Sequence, residues 1–519
     1  MRVTNQIITN KTLTNINNNK QRLVDIENQY QTGKKISRPS DNPVIAIRAL
    51  KLRNNLSEVN QYYQKNAPDA KNWMSNTEST LNAGIDMLRV IHENLNAGAT
   101  DTFTVNDRET IYNTCKQYRD EFYTEGNASY AGRYLFTGYK TQTSLTYLED
   151  DNSKRYTITE NFDKDDIKLL TVTKGGYLNT DINREKDVTT GTESIAENDK
   201  VYILNLAYKN IDADSFTTID ADSFTTNTKI KIGNTDYTVN TKISTATDAY
   251  KVGDNEVNFL SDTGEMVIGN KIAKDVINNK IEFSITYDKS RFQKNDIRPV
   301  HYFDCIETPL KADADGTMIE DKKGKKIKYT KEDQQIEYEI TYNQKLTVNV
   351  QASSCLTPDL GRELDGIISS IDDVKAVESK ISEVQKVIDS TSADTEIEAD
   401  KKEEYLANLN KMKDQLETEK ALKEKVMHER FSYGLDNVKA ISDQCNITLS
   451  DLGAREKRLK LTTSRLQSQQ TETKDLLSNN EDADLTETII NFTTMKNVYT
   501  ASLNAGARSI QNTLLDFIS

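Results

Sequence analysis

The spacing of the apolar residues changes twice along the chain. Near the N-terminus, apolar residues follow one another at intervals of three, four and seven positions, which is typical of one face of a helix; they are Leu13, Ile16, Leu23, Ile26 and Tyr30. Between about residues 145 and 350, short runs such as "KIEFSITY" and "IEYEITY" alternate instead, which predicts antiparallel strands and hairpins. The helical spacing returns from about residue 361. The order helix, strand, helix therefore constrains the fold more than any other feature.

The C-terminal third contains three successive helical patterns. A stretch near 367–427, dense in Glu, Lys and Asp, predicts a helical hairpin with a solvated outer surface. A heptad repeat then predicts a long helix, and it consists of Val438, Cys445, Leu452, Leu459 and Leu466. The last apolar stripe consists of Ile489, Phe492, Tyr499, Leu503, Ile510, Leu514 and Phe517. We predict an α+β multi-domain fold, with a coiled-coil or helical-bundle stalk built from both ends and a mainly antiparallel β domain inserted in the middle.

These patterns divide the chain into five predicted segments. Residues 1–36 and 481–519 are the N- and C-terminal coiled-coil helices. Residues 37–142 and 358–480 are the two parts of a helical bundle, the second of which contains the acidic hairpin. Residues 143–357 form the β-rich insertion, so the bundle is predicted to be built from segments far apart in sequence.

Composition excludes several classes of partner. The hydrophobic share is 36% and the net charge is -14, with a pI near 5.0. Nucleic acids and anionic membrane surfaces both require a basic footprint, so neither is an expected partner. No apolar run approaches the roughly 18 residues of a membrane span. The N-terminal "MRVTNQIITNKTLTN" lacks the apolar core of a cleaved signal peptide.

The sequence contains no recognisable catalytic motif. The three histidines, His92, His301 and His428, are far apart. Two of them begin like the zinc motif H-E-x-x-H, but its last position is occupied by Asn96 or Ser432. The four cysteines are too few and too scattered to predict a disulfide scaffold or a zinc site. We therefore expect no enzyme activity, no cofactor and no metal.

The stretch "GKKISRPSDNP" contains two of the chain's six prolines. Gly33 is predicted to end the first helix, and Pro39 and Pro43 are predicted to hold the residues before them in extended backbone. Ser40 or Asp41 is the predicted cap of the next helix, and Pro43 falls in its first turn, where a missing N–H is harmless. The stretch therefore predicts a stiff spacer between two helices.

The apolar stripes at the two ends need a surface to pack against. The last 33 residues (487–519) contain only four charged residues. The stripes can be buried against each other in a closed bundle or against neighbouring copies, because burying one Leu or Ile is worth roughly 1.5–3 kcal/mol. The predicted packing residues are Ile7, Leu13, Ile16, Leu23, Ile26, Tyr30, Ile489, Phe492, Tyr499, Leu503, Ile510, Leu514 and Phe517.

Both ends of the chain also resemble a known family. The N-terminal stretches "MRVTNQIITN", "GKKISRPSDNPVIAIRALKLRNNL" and "GRYLFTGYKT" resemble the flagellin superfamily. So do the C-terminal stretches "LSDLGAREKRLKLTTSRL" and "ETIINFTTMKNVYTASLNAGARSIQNTLLDFIS". The ending is more similar to the hook-associated protein 3 branch than to filament flagellins. The resemblance covers about 140 residues at the front and 90 at the back, and it includes neither the insertion nor the acidic hairpin.

The resemblance implies an architecture and a function. The first and last helices would form an inner coiled-coil layer, and the spacer residues Gly33, Pro39, Ser40, Asp41 and Pro43 would connect that layer to the next. The implied protein is an extracellular, structural part of the bacterial flagellum, a ring-forming adaptor needed for filament assembly and motility. It would be exported by the flagellar type III apparatus without a cleaved signal peptide.

The resemblance also implies partners and leaves alternatives open. The implied partners are hook-associated protein 1 on the hook side, flagellin on the filament side, further copies in a ring, and an export chaperone that recognises the C-terminal helices. A filament flagellin, a flagellar protein with an enzymatic insert, and a secreted coiled-coil adhesin are the alternatives.

Overall fold

The structure is a computed structural model. It describes residues 5–515 apart from 101–102, 184, 186–194, 220–225, 234, 247, 314, 316–317 and 322. For residues 5–6, 217–219, 226–229 and 509–515 it describes the backbone alone.

The helices lie at the two ends of the chain, as predicted. They are α1 (Asn5–Thr32), α2 (Pro43–Gln61), α3 (Ala67–Gly98), α4 (Val105–Glu125), α5 (Asn270–Asn279), α6 (Asp359–Ala393), α7 (Ala399–Glu481) and α8 (Leu485–Leu515). Among the α-helices of the described residues, only α5 belongs to the middle of the chain. The turn between α6 and α7 lies within the predicted acidic hairpin, whose inner surface is an apolar cluster that contains Val377, Val384, Leu409, Met412 and Leu416.

A π-helical turn, Tyr62–Asn66, joins α2 to α3. The N–H of Ala67 donates to the carbonyl of Tyr62, five residues back. Pro68 follows directly and has no N–H to donate, and its ring would crowd the carbonyl four residues earlier in a regular helix. The wider turn accommodates the proline, so the chain remains helical from Pro43 to Gly98.

Sixteen strands are assigned within the described residues. They are β1 (Ser129–Tyr130), β2 (Arg133–Tyr134), β3 (Lys154–Phe162), β4 (Lys168–Lys174), β5 (Glu197–Asn205), β6 (Thr217–Ile219), β7 (Thr226–Ile232), β8 (Thr235–Lys242), β9 (Glu256–Leu260), β10 (Glu265–Ile268), β11 (Phe283–Lys289), β12 (Asp304–Ala312), β13 (Met318–Glu320), β14 (Ile327–Tyr329), β15 (Glu337–Thr341) and β16 (Gln344–Thr347).

The strands form two large sheets and two hairpins. The seven-stranded sheet has the order β4-β5-β10-β9-β8-β7-β6, and its neighbours are antiparallel except for the parallel pair β8 and β9. The five-stranded sheet has the order β11-β3-β12-β13, with β14 also paired to β12. This mainly antiparallel insertion between helical ends confirms the predicted α+β class.

One carboxylate lies in the interior of the insertion. Glu160, on β3, is 5% exposed, and it accepts hydrogen bonds from the N–H of Ala207 at 3.0 Å and from the hydroxyl of Tyr287. Burial raises the pKa of Glu160 to about 7, against the lowering effect of these hydrogen bonds. The carboxyl group of Glu160 therefore stays protonated to a higher pH in the folded chain than in the unfolded chain.

The chain separates into two compact units. The first contains residues 1–71, 338–346 and 456–519, and the second contains residues 72–337 and 347–455. In the first unit, the hairpin formed by β15 and β16 packs beside the π turn, where the side-chain amide of Asn66 donates to the carbonyl of Glu339 at 2.8 Å. Residues 37–71 are grouped with the terminal helices, which differs from the predicted segment boundaries.

Candidate assembly surface

The two terminal helices, α1 and α8, pack against each other in the first unit. The rings of Tyr30 and Phe492 stack with their centroids 6.2 Å apart. Fourteen residues away along each helix (30 to 16, and 492 to 506), Ile16 lies against Gly506, where an added Cβ would be 2.8 Å from Ile16 Cδ1. The two contacts run in opposite directions along the helices, so α1 and α8 form an antiparallel pair, here called the terminal helix pair.

The pair leaves much of its apolar surface exposed. On α1, the exposed fractions of Ile7, Leu13 and Tyr30 are 56%, 46% and 43%, and those of Ile489 and Leu503 on α8 are 46% and 43%. The remaining described members of the predicted stripes are half-buried; they are Ile16, Leu23, Ile26, Phe492 and Tyr499. None of these predicted packing residues is fully buried in the isolated chain. The side chains of Ile510 and Leu514, and the whole of Phe517, lie outside the described residues.

Sequence reasoning missed a second exposed apolar stripe in the same unit. Val44, Ile47 and Leu50 on α2 have exposed fractions of 66%, 58% and 61%. Their spacing of three places them on one side of the helix. The signal was available in "PVIAIRALKL", but a stripe on a short helix is expected to face the interior unless the structure shows otherwise.

The spacer begins with a left-handed glycine and a tight turn. Gly33 follows α1 with φ +67° and donates its N–H to the carbonyl of Gln29, which ends the helix. The carbonyl of Arg38 accepts the N–H of Asp41 at 3.0 Å. Pro39 therefore occupies the second position of a β-turn, where its restricted φ is favourable.

Asn42 caps α2, and the prediction of Ser40 or Asp41 was wrong. The Oδ1 of Asn42 accepts the N–H groups of Val44 at 3.2 Å and Ile45 at 3.3 Å. Asn42 has extended backbone, φ -151° and ψ 96°, and Pro43 is the first helical residue, an arrangement that suits both residues.

The turn explains why the two predicted residues are elsewhere. The carboxylate of Asp41 points back along the spacer, where it accepts the N–H groups of Ser37 at 3.1 Å and Arg38 at 2.8 Å. The hydroxyl of Ser40 lies 3.5 Å from the same carboxyl group. Both side chains therefore stabilise the turn and not the helix.

The spacer is paired with the connection between α7 and α8. The N–H of Lys35 donates to the carbonyl of Glu481 at 2.6 Å, and the N–H of Ala483 donates to the carbonyl of Gly33 at 2.8 Å. Asp484 then caps α8, because its Oδ1 accepts the N–H of Thr486 at 2.8 Å. Both terminal helices thus leave the rest of the unit through one short antiparallel bridge.

Charged side chains reinforce this bridge. The Nζ of Lys34 is 2.5 Å from the carboxylate of Asp482, and Arg53 is 2.8 Å from that of Glu481. The hydrogen bond to Asp482 raises the pKa of Lys34, and the same contact lowers the pKa of Asp482. The Glu481 side chain is 6% exposed, so its charge is compensated inside the bridge and not by water.

The described part of the chain contains no group of three His, Cys, Asp or Glu side chains placed to hold a metal ion. Nor does it contain a helix that is both long enough and apolar enough to cross a membrane. Four buried thiols are free; they are Cys115, Cys305, Cys355 and Cys445.

The two ends match family models. Residues 3–141 match the bacterial flagellin N-terminal helical region, and residues 435–518 match the bacterial flagellin C-terminal helical region. Both ends of the chain are therefore similar to the helical regions of bacterial flagellins. The terminal helix pair and the spacer lie within these two matched regions.

Curated relatives agree with this assignment. The chain is 26% identical over 145 residues to flagellar hook-associated protein 3 of Salmonella typhimurium, and 28% identical over 149 residues to that of Escherichia coli. The predicted resemblance is therefore confirmed. Each match covers 28% of this chain and 45% of the relative, so the chain spans about half the length of the curated relatives it matches.

A solved structure is also similar. FlgL from Xanthomonas campestris is 10% identical, with coverage of 82% of this chain and 99% of that chain, at a TM-score of 0.30.

Proposed function

We propose that this flagellin-type chain is a structural subunit of the bacterial flagellum that joins the hook to the filament. The observation that carries the proposal is the terminal helix pair, which lies in the flagellin regions and exposes its apolar residues in the isolated chain. The name of the curated relatives, flagellar hook-associated protein 3, supports the position at the junction.

The exposed apolar surface favours association with further copies. Burying a Leu or Ile side chain completely contributes roughly 1.5–3 kcal/mol, and Ile7, Leu13, Ile489 and Leu503 each have close to half of that burial still available. In a closed ring the same contribution recurs in every subunit. The proposed role is therefore one of assembly and not of catalysis.

The remaining partners follow from the position in the flagellum. Hook-associated protein 1 would contact this chain on the hook side and flagellin on the filament side. An export chaperone would cover the C-terminal helices before export through the flagellar type III apparatus without a cleaved signal peptide.

A deletion strain tests the proposal. Loss of the gene is expected to abolish filaments and motility while flagellin monomers appear in the growth medium. A plasmid copy of the wild-type gene is expected to restore filaments. Filaments of normal length in the deletion strain would contradict the proposal. If the chain were instead the filament flagellin, deletion would remove the main flagellin from the medium and not release it.

A further inference from the structure

Two of the four buried thiols are in contact with each other in the second unit. Cys355 follows the short 3₁₀-helical turn Ala352–Ser354, shortly before α6, and Cys445 lies in the middle of α7. The Sγ of Cys445 donates to the carbonyl of Cys355 at 3.4 Å, and the two thiol groups also form a hydrogen bond with each other. The two residues are 90 positions apart in sequence, so only the fold brings them together.

Hydrogen bonds fix the position of Cys355 beside α7. The N–H of Leu356 donates to the carbonyl of Ala352 at 2.8 Å, which closes a tight turn that contains Cys355. The hydroxyl of Tyr302 donates to the carbonyl of Leu356 at 2.6 Å. The backbone on both sides of Cys355 is therefore held by the surrounding structure.

A second contact from α7 fixes the approach of the two sulfur atoms. The hydroxyl of Thr448 lies 3.4 Å from the carbonyl of Ser354. Thr448 follows Cys445 by about one helical turn, and Ser354 directly precedes Cys355. Two neighbouring side chains of α7 therefore contact two consecutive residues of the turn, which gives the thiol pair a defined geometry.

The two thiols also change each other's proton affinity, which the other two cysteines do not show. The hydrogen bond between them lowers the pKa of Cys445 and raises the pKa of Cys355. For Cys115 and Cys305, burial is the main cause of a pKa raised to about 12. Cys115 and Cys305 are therefore buried thiols of the same chain that serve as internal controls.

The thiol pair is closed to solvent. Cys355 and Cys445 are 1% and 2% exposed, so a dissolved oxidant reaches neither sulfur while the second unit is folded. Both sulfurs are accessible before α7 packs against the turn. A covalent bond between them is therefore expected to form as the chain folds, and burial then protects that bond from reductants.

We propose that Cys355 and Cys445 become joined by a disulfide bond when the chain folds in the presence of a low-molecular-weight disulfide. One cysteine thiolate attacks a sulfur of that disulfide, which gives a mixed disulfide and releases one small thiolate. The second cysteine thiolate then attacks the protein sulfur of the mixed disulfide and releases the other small thiolate. The two cysteines lose two electrons and two protons in total, and the small disulfide is reduced to two thiols.

The bond closes a loop that contains the acidic hairpin. The loop begins before α6, ends in the middle of α7 and spans 90 positions. A cross-link of this length removes conformational freedom from the unfolded chain and so favours the folded one. The expected rise in the melting temperature of the second unit is about 5 °C. The inference is independent of the junction role, because both cysteines belong to the second unit.

Oxidative refolding of the purified full-length chain tests the bond. The reduced, unfolded chain is refolded with oxidised and reduced glutathione, and it is then unfolded in the presence of iodoacetamide. Mass spectrometry of a tryptic digest is expected to show peptides 346–362 and 440–455 linked to each other, with Cys115 and Cys305 alkylated. Refolding with a reductant alone is the control, and it is expected to leave all four cysteines alkylated.

Melting curves test the consequence of the bond. Each protein is refolded with and without oxidised glutathione, and the oxidised wild type is expected to melt about 5 °C higher than the reduced wild type. Cys355→Ala is expected to melt at the same temperature after both treatments. Cys115→Ala also removes a buried thiol and is the matched control, which is expected to keep the full difference. Since each variant is compared with itself, the packing cost of the substitution cancels.

Three results would overturn the inference. One is alkylation of both Cys355 and Cys445 in the wild type after oxidative refolding. Another is a mixture of linked peptides in which Cys115 or Cys305 occurs as often as Cys355, which would indicate random pairing. The third is a rise in melting temperature in Cys355→Ala equal to that of the wild type. The peptide analysis requires only the wild-type chain, so it decides the matter whether or not a variant folds.

Discussion

Replacing Leu503 by Asp separates the stability of the chain from its assembly. Leu503 is 43% exposed on α8, so 57% of its surface (100 minus 43) is already buried within the chain. With full burial of a Leu worth roughly 1.5–3 kcal/mol, Leu503→Asp is expected to cost the isolated chain about 1–2 kcal/mol. The rest of the side chain is exposed in the isolated chain and would be covered in the proposed assembly.

Assembly adds a larger cost. In the wild type, covering the remaining surface of Leu503 would contribute about 0.6–1.3 kcal/mol per subunit, and the Asp variant loses this contribution. Removing the new carboxylate from water costs several kcal/mol more. Each 1.4 kcal/mol is a factor of ten in affinity, so a total near 4 kcal/mol weakens each contact by about a thousandfold.

The assay pairs motility with melting. Leu503→Asp is expected to abolish swimming in a complemented deletion strain, while the purified chain melts only a few degrees lower. Leu503→Met, which preserves volume and polarity, is the matched control and is expected to swim normally. Full motility of Leu503→Asp would show that the exposed surface of the terminal helix pair is not an assembly surface.

Four further substitutions, at three places in the chain, test other contacts. Burial raises the pKa of Glu160 from 4.5 to about 7, so its stabilising contribution is full below pH 4.5 and is lost as the pH rises through 7. Glu160→Gln is therefore expected to raise the melting temperature at pH 8, because it removes a penalty of about 3 kcal/mol. At pH 4.5 the variant and the wild type are expected to melt at nearly the same temperature. The same difference in melting temperature between variant and wild type at both pH values would refute this. Asn42→Ala is expected to destabilise the start of α2 by about 0.5–2 kcal/mol, and Ser40→Ala by far less. Hydrogen exchange of the first amides of α2 measures both effects. A larger effect of Ser40→Ala than of Asn42→Ala would contradict Asn42 as the cap. Gly506→Val places a valine side chain against Ile16 and is expected to destabilise the terminal helix pair by about 1–3 kcal/mol. The expected result is faster hydrogen exchange in α1 of the variant. Equal exchange rates in the variant and the wild type would show that the two helices do not approach closely there.

The sequence predicted those features that depend on local spacing. Apolar residues three to four positions apart lie on one face of a single helix, and alternating apolar residues lie on one face of a single strand. Both helical ends and the β insertion were therefore recognisable from residues a few positions apart. Gly33 at the end of α1 and Pro43 at the start of α2 depend on backbone preferences that each residue carries in itself.

Local spacing could not predict which of several neighbouring polar side chains points toward the helix. Ser40, Asp41 and Asn42 have similar capping chemistry, and the choice among them depended on the turn that directs Asp41 back toward Ser37 and Arg38. Likewise, the apolar stripes on α1 and α8 were visible, but nothing local determined how much of each would remain exposed.

Only the tertiary structure decided which distant elements meet. The parallel pairing of β8 with β9 inside a mainly antiparallel sheet, the grouping of residues 338–346 with both ends of the chain, and the contact between Cys355 and Cys445 all join residues that are not neighbours in sequence. Local periodicity shows that a helix or strand has an apolar face or a charged side chain. It does not show which other helix or strand that face packs against, because several partners of similar shape would fit. The choice among partners depends on packing and on charge compensation, which exist only when the elements are in contact.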